Sequence, residues 1–186
     1  MPFIEVIEPK NATGNLKKIY EDLTKSRGKL AMVHKIQSLN PESITAHMDL
    51  YMQVMFGKSP LKRAQREMMA VVVSAANKCE YCQLHHAEAL NHYWRDEQKV
   101  NQLRRDFSDI ELSELDLQLC RLAEKLTKKS HEIDEQQDLK PLKELGLSDR
   151  AILDATLVIS YFNFVNRMVL GLGVATNEEE MRGYNY

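Results

Sequence analysis

The segment from Ser59 to Asn77 constrains the fold more than any other. Ser59-Pro60 reads as a helix N-cap followed by proline at the first helical position, where its missing N–H costs nothing. The helix this predicts runs to about Asn77 and carries Met68-Met69-Ala70-Val71-Val72-Val73, six residues apolar on every side. A helix apolar all round has to be enclosed, so other elements are expected to wrap it. Seven glycines and five prolines in 186 residues disfavour a turn-rich sandwich and suit long helices. No segment reads as a strand, and the expected class is all-α, a helical bundle.

One domain spanning 1–186 is expected, with an extended arm over about 1–14. Asn15–Lys25 places Leu16, Ile19, Tyr20 and Leu23 on one helical face. Ser43–Phe56 reads as a helix ended by Gly57, and a further helix spans about Cys79 to Arg95. Leu115–Lys128 is amphipathic, Lys129–Asp138 reads as a polar loop, and Ser148 opens a helix through Ile159 whose apolar character continues to Val174. Sliding the chain by 86 residues pairs Leu61 with Leu147, Val72 with Val158, Ser74 with Ser160 and Asn77 with Asn163. In this register a first half over about 43–95 carries the chemistry, and a second half over about 113–175 is a degenerate copy. A polar tail occupies 176–186.

Basic and acidic residues nearly cancel, 25 against 27, without a basic stripe, so neither nucleic acid nor an anionic membrane surface is an expected partner. No stretch approaches the roughly 18 apolar residues of a membrane span. Met1-Pro2-Phe3-Ile4-Glu5 lacks the layout of a secretory signal. Two of the three cysteines stand in CxxC spacing, which in a chain of this kind suggests redox or metal chemistry in the reducing cytoplasm.

The chemistry concentrates in Cys79-Glu80-Tyr81-Cys82-Gln83-Leu84-His85-His86. On a helix advancing about 100° per residue, Cys79, Cys82 and His86 share one face and His85 points away. Asn77-Lys78 is a suitable break, placing Cys79 at a helix start, where a partial positive charge favours thiolate. Cysteines one turn apart can close a disulfide if the first lies at such a frayed end. Glu67, at the edge of the apolar run, reads by itself as an ordinary helix-surface residue; in the functional reading it is desolvated and raised in pKa as a general base acting with His86. The same groups can also be read as a zinc half-site, with Glu67 as a fourth ligand, but the second Cys/His pair of a zinc finger is absent. His34, His47, His85, His92 and His131 read as surface or packing residues, and Cys120 as inert core. Methionines 48, 52, 55, 68 and 69 read as core fillers, and Leu90 and Tyr93 as an apolar surround for an organic substrate.

Glu67, eleven residues, Cys79-x-x-Cys82, three residues and His86 together resemble the signature of the alkylhydroperoxidase D (AhpD)-like, carboxymuconolactone decarboxylase superfamily. Tyr51–Gly57, Arg66–Ser74 and Tyr161–Arg167 look like its peroxidase-related branch, so the resemblance covers about Ile19 to Val174. It implies a helical bundle with a degenerate internal repeat, assembled as trimers or hexamers. It also implies reduction of an organic hydroperoxide: Glu67 and His86 relay protons, Cys82 attacks, and Cys79 resolves the sulfenic acid into a Cys79–Cys82 disulfide. An external thiol would then reduce that bond. The family often has histidine just before the second cysteine, where this chain has Tyr81, so that relay is not carried over. Lactone decarboxylation does not require the cysteine pair. The helix-terminus argument favours Cys79 as the more acidic thiol, whereas the relay favours Cys82 as the attacking one, and Cys82 is the expectation. A thiol–disulfide exchanger or redox sensor, and a metal-binding module, are the competing readings. No cofactor motif is present, neither a Gly-rich phosphate loop nor a haem or flavin signature.

Overall fold

The structure, a computed structural model, describes residues 1–176, so the expected polar tail lies outside the described residues from 177 onward. Among the described residues all regular structure is helical, in agreement with the expected all-α class. In chain order these are α1 (Gly14–Arg27), α2 (Met32–Lys35), α3 (Pro41–Tyr51), α4 (Arg63–Ala76), α5 (Glu80–Trp94), α6 (Glu97–Arg105), α7 (Glu114–Lys128), α8 (Lys140–Glu144) and α9 (Asp149–Gly171).

Helix α4 is the axis of the bundle, packed by α5, α7 and α9. Every residue from Arg66 to Ser74 is buried, as an apolar-all-round segment requires. The helix starts three residues later than Ser59-Pro60 predicts. Ser59 Oγ accepts the Leu61 N–H at 3.1 Å in a turn ahead of the helix, and Lys62 is the N-cap residue, its own N–H donating to Gln65 Oε1 at 3.0 Å. The cause is Arg66. Its Nη2 donates to the Leu61 carbonyl at 3.1 Å, so that oxygen is spent on a guanidinium instead of on a helical N–H.

The same guanidinium closes the preceding element. Helix α3 continues as a wider π-type turn, Met52–Phe56, that Gly57 ends. Carbonyls at a helix end lack intrahelical partners. Arg66 Nη1 donates to those of Val54, Met55 and Gly57 at 3.2, 2.8 and 3.1 Å. A Cβ at Gly57 would stand 2.3 Å from the Gln53 carbonyl oxygen, so only glycine fits that turn.

Between α4 and α5 the chain breaks at Lys78, whose φ of 57° is left-handed, and Cys79 takes the N-cap position of α5. The 86-residue register places α9 over α4, and the two helices pack together. Asn77 Nδ2 donates to Asn163 Oδ1 at 3.0 Å and to Asn166 Oδ1 at 3.2 Å. Where α4 stops and turns, α9 runs on without a break to Gly171, capped at its start by Ser148 Oγ.

The stretch 129–138, expected to be a loop, contains the helical turns Ser130–Glu132 and Glu135–Leu139. Asp134 caps the second of these, and Asp138 is fixed by Lys125 Nζ at 2.6 Å. The short helices α2, α6 and α8 carry too few turns to show a periodic apolar face, and they were not expected. The N-terminal arm lies against the bundle, with Phe3 N–H donating to the Leu172 carbonyl at 2.9 Å and Tyr20 Oη donating to that of Ile7 at 3.0 Å. Met55, Met68 and Met69 fill the core, whereas Met52 is exposed.

An Arg66→Met substitution keeps the buried stem but orphans these carbonyls. It should lower the unfolding free energy by about 3 kcal/mol, measured by urea denaturation. An unchanged midpoint would show that water replaces the guanidinium without cost.

Candidate active site

Cys79 and Cys82 are both free thiols and both buried. They differ in what they face. Cys82 lines an internal cavity of about 100 Å³, together with Glu67, His86, Tyr161 and Phe162, whereas Cys79 has no exposed surface and does not line it. Hydrogen bonding from the Cys82 side chain draws the Cys79 thiol below its ordinary value against the opposing effect of burial, and the Cys82 backbone adds to it. Cys82 is pushed strongly upward, first by that hydrogen bond to Cys79, then by burial and by the Cys79 charge. Cys79 is therefore the more acidic thiol of the pair, as its helix-start position suggests.

Glu67 and His86 are brought together as the spacing implied. Glu67 is completely buried on α4, and its Oε2 accepts the His86 Nδ1–H at 2.8 Å. Its Oε1 accepts from Arg63 Nη2 at 2.6 Å and Nε at 3.1 Å. Arg63 is itself fixed by the Met55 carbonyl at 2.7 Å and lies 3.6 Å over the Phe56 ring. These partners correct the expectation for Glu67. Burial does push its pKa upward, but the His86 hydrogen bond and charge, followed by Arg63, outweigh it and hold the carboxyl below its ordinary value. Glu67 is an ionised anchor, and not itself a base raised towards neutrality. It holds the proton on His86 Nδ1, which leaves Nε2 as the nitrogen able to accept a hydrogen bond in the neutral ring. The His86 ring stands edge-on to Phe162, with centroids 4.3 Å apart.

A second polar chain borders the same cavity and was missed. Gln37 Nε2 donates to the Val33 carbonyl at 2.8 Å and reaches His47 Nδ1 at 2.8 Å. His47 Nε2 meets Tyr161 Oη at 2.6 Å. His34 lies edge-on to His47, with centroids 5.8 Å apart. Its burial and the neighbouring His47, Arg27 and His85 lower its pKa from 6.5 to about 3, and burial lowers His47 from 6.5 to about 4. The spacings Gln37–His47 and His47–Tyr161 have no helical period, so no sequence pattern announces this chain. Arg63, in contrast, stands four residues before Glu67 and was legible as an i,i+4 ion pair.

His85 also borders the cavity, from the side, its ring 4.2 Å from that of Tyr81 and its Nδ1 donating to the Tyr81 carbonyl at 2.9 Å. Facing away from the thiols on the helix did not remove it from the pocket, because residues 27–47 fold over that flank. Leu90 is core and Tyr93 is half-exposed; neither lines the cavity, whose apolar wall comes from Phe162, Val165 and Ala89. Cys120 is fully buried, and burial raises its pKa, in keeping with an inert core thiol. Among the described residues no three His, Cys, Asp or Glu side chains gather to hold a metal ion.

Residues 41–117 match the carboxymuconolactone decarboxylase family. An uncharacterized peroxidase-related protein from Silicibacter sp. TM1040 is 30% identical, with a TM-score of 0.83 over 97% of this chain and 91% of that one. The chain belongs to the AhpD-like, carboxymuconolactone decarboxylase superfamily, in its peroxidase-related branch. A second AhpD-core structure, a peroxidase-related protein from Ralstonia eutropha JMP134, superposes with a TM-score of 0.87 at 24% identity over 97% and 94% of the two chains. The debrominase Bmp8 shares this AhpD-like fold with a TM-score of 0.78 at 16% identity, over 97% and 98%. Among curated proteins none matches the sequence.

The two lowered histidines set a pH dependence for this AhpD-like bundle. The unfolded chain takes up their protons near 6.5, while the folded chain resists until about 4 for His47 and about 3 for His34. Stability is therefore full above pH 6.5 and falls as pH drops towards 4, by an amount on the order of 3 kcal/mol per histidine. Urea unfolding at stepped pH should show this loss, and a His47→Gln variant should show a shallower slope.

Proposed function

We propose that the chain is a thiol-dependent peroxidase that reduces organic hydroperoxides. The observation carrying this reading is the arrangement of the two sulfurs. Cys82 borders the cavity beside a histidine anchored by a buried carboxylate, and Cys79 lies one helical turn behind it, out of the cavity.

His86 Nε2 takes the proton of the Cys82 thiol. The Cys82 thiolate attacks the terminal oxygen of the hydroperoxide, the O–O bond breaks, and the alkoxide leaves as the alcohol with the proton from His86. Cys82 is now a sulfenic acid. Cys79, the more acidic thiol of the pair, gives up its proton and attacks the Cys82 sulfur; hydroxide leaves and takes up that proton to become water, and the Cys79–Cys82 disulfide forms. An external dithiol restores both thiols. Because the Cys82 thiol is the less acidic of the two, its attack needs a base on the cavity side, and that is the role of the Glu67–His86 pair.

An apolar stripe supports assembly with further copies of the chain, as a trimer or hexamer. Leu153, Leu157 and Phe164 are exposed along one face of α9, and Leu50 and Met52 are exposed on the neighbouring α3 segment. Among the described residues no helix is long and apolar enough to cross a membrane. The cycle needs a reducing compartment, and the cytoplasm supplies one.

Reduced Cys79→Ser protein should consume one equivalent of cumene hydroperoxide and form a trappable sulfenic acid, while Cys82→Ser should not react. Persistence of both thiols under excess hydroperoxide would discard the peroxidase; fast exchange with small disulfides in that case would leave the thiol–disulfide exchanger. Glu67→Gln should slow wild-type oxidation by about 10²-fold or more at pH 7, read by stopped-flow loss of thiol.

A further inference from the structure

The direction of the hydrogen bonds in the chain from Gln37 to Tyr161 is determined by one carbonyl. The Val33 carbonyl can only accept, so the atom 2.8 Å from it is the Gln37 amide nitrogen, and the Gln37 oxygen faces the Ser43 hydroxyl at 3.4 Å. The second N–H of that amide donates to His47 Nδ1. His47 therefore carries its proton on Nε2, and donates it to Tyr161 Oη at 2.6 Å. The phenol oxygen is occupied as an acceptor, and its own O–H has to point elsewhere. Tyr161 is 5% exposed and borders the cavity, and among the described residues its hydroxyl makes one hydrogen bond, the one with His47. A buried donor without a partner costs roughly 1–3 kcal/mol, which an oxygen placed in the cavity would recover.

The wall around it selects the kind of oxygen. Phe162, Val165, Ala89 and the Tyr51 ring make the surround apolar, and the Cys82 sulfur borders the same space. The Glu67 carboxylate is engaged by Arg63 on one oxygen and by His86 on the other.

We propose that Tyr161 is the substrate-binding donor of this cavity, its O–H held by the Gln37–His47 chain against the oxygen of an uncharged organic substrate beside Cys82. In the peroxidase cycle, on which this reactive role rests, that oxygen is the one bonded to carbon. As the Cys82 sulfur takes the terminal oxygen and the O–O bond breaks, charge collects on the departing alkoxide, and the Tyr161 O–H stabilises it until the His86 proton arrives. Tyr161 keeps its own proton throughout, because His47 Nδ1 is blocked by Gln37 and cannot pass a replacement along. Gln37 and His47 are positioning residues.

Two measurements on wild type and Tyr161→Phe separate this proposal from the peroxidase reading. In the first, acetophenone, the carbonyl analogue of cumene hydroperoxide, is bound to the reduced proteins and its C=O stretch is followed by infrared difference spectroscopy. A lowered frequency in wild type that Tyr161→Phe abolishes supports the donor even if wild type proves inert to hydroperoxide, in which case the peroxidase reading alone falls. An equal frequency in both proteins, or no saturable binding to wild type, overturns the donor.

The second compares thiol oxidation by cumene hydroperoxide and by the neutral probe 4,4′-dithiodipyridine, with circular dichroism confirming the fold. Tyr161→Phe should slow the hydroperoxide reaction by about 10²-fold, as loss of a donor to developing charge does, and alter the probe reaction by less than about two-fold. Equal slowing of both reactions would overturn the reactive role, since Tyr161 would then be acting on the thiol. An unchanged hydroperoxide rate would overturn it as well. Gln37→Met, which frees His47 to take either tautomer, should reproduce part of both effects without touching the cavity.

Discussion

Burial of the Glu67 carboxylate is the constraint on which the site is built. A carboxylate without exposed surface is tolerated only with charged or hydrogen-bonding partners, and removing one partner from such a pair is strongly destabilising. Glu67 has two, Arg63 on its own helix and His86 on α5, so the same interaction that satisfies the charge also docks the thiol helix on the central helix. Arg63 is in turn fixed by the end of the π-type turn, which ties the carboxylate to the α3 segment. A site assembled this way is rigid because each member is needed to satisfy another.

The consequence for reactivity is a division of labour between the thiols. Their mutual hydrogen bond raises the pKa of Cys82 and lowers that of the helix-start thiol. The sulfur that a ligand in the cavity would meet is the other one. Acidity and access are thus separated by one helical turn. On the cavity side Glu67 takes the His86 Nδ1 proton and fixes the tautomer of that ring.

The parts of this arrangement that were legible in the sequence are those with local periodicity. The Met68–Val73 run marked the buried axis, the Asn77-Lys78 break placed Cys79 at a helix start, and the 3.6-residue period put Cys82 and His86 on one face. The start of α4 was misplaced because Arg66 competes for the Leu61 carbonyl, which is a contact between segments and not a local preference. The protonation of Glu67 was misjudged in the same way. Its desolvation was visible from the apolar run, but the two hydrogen-bond donors that reverse the shift come from where Arg63 and His86 point.

What the sequence alone determined is the all-helical class, the central helix, and the placing of Cys79 at a helix start with Cys82 and His86 on one face, since each follows from residue type and spacing along one or two consecutive helices; Glu67 joined that group through the family resemblance. What only the tertiary structure decided is the cavity itself and the Gln37–His47–Tyr161 chain along it. Those three residues lie on a turn, on α3 and on α9, and Tyr161 stands 114 residues beyond its partner His47. Hydrogen bonds depend on distance and direction in space, and no period of the chain encodes a meeting between elements so far apart.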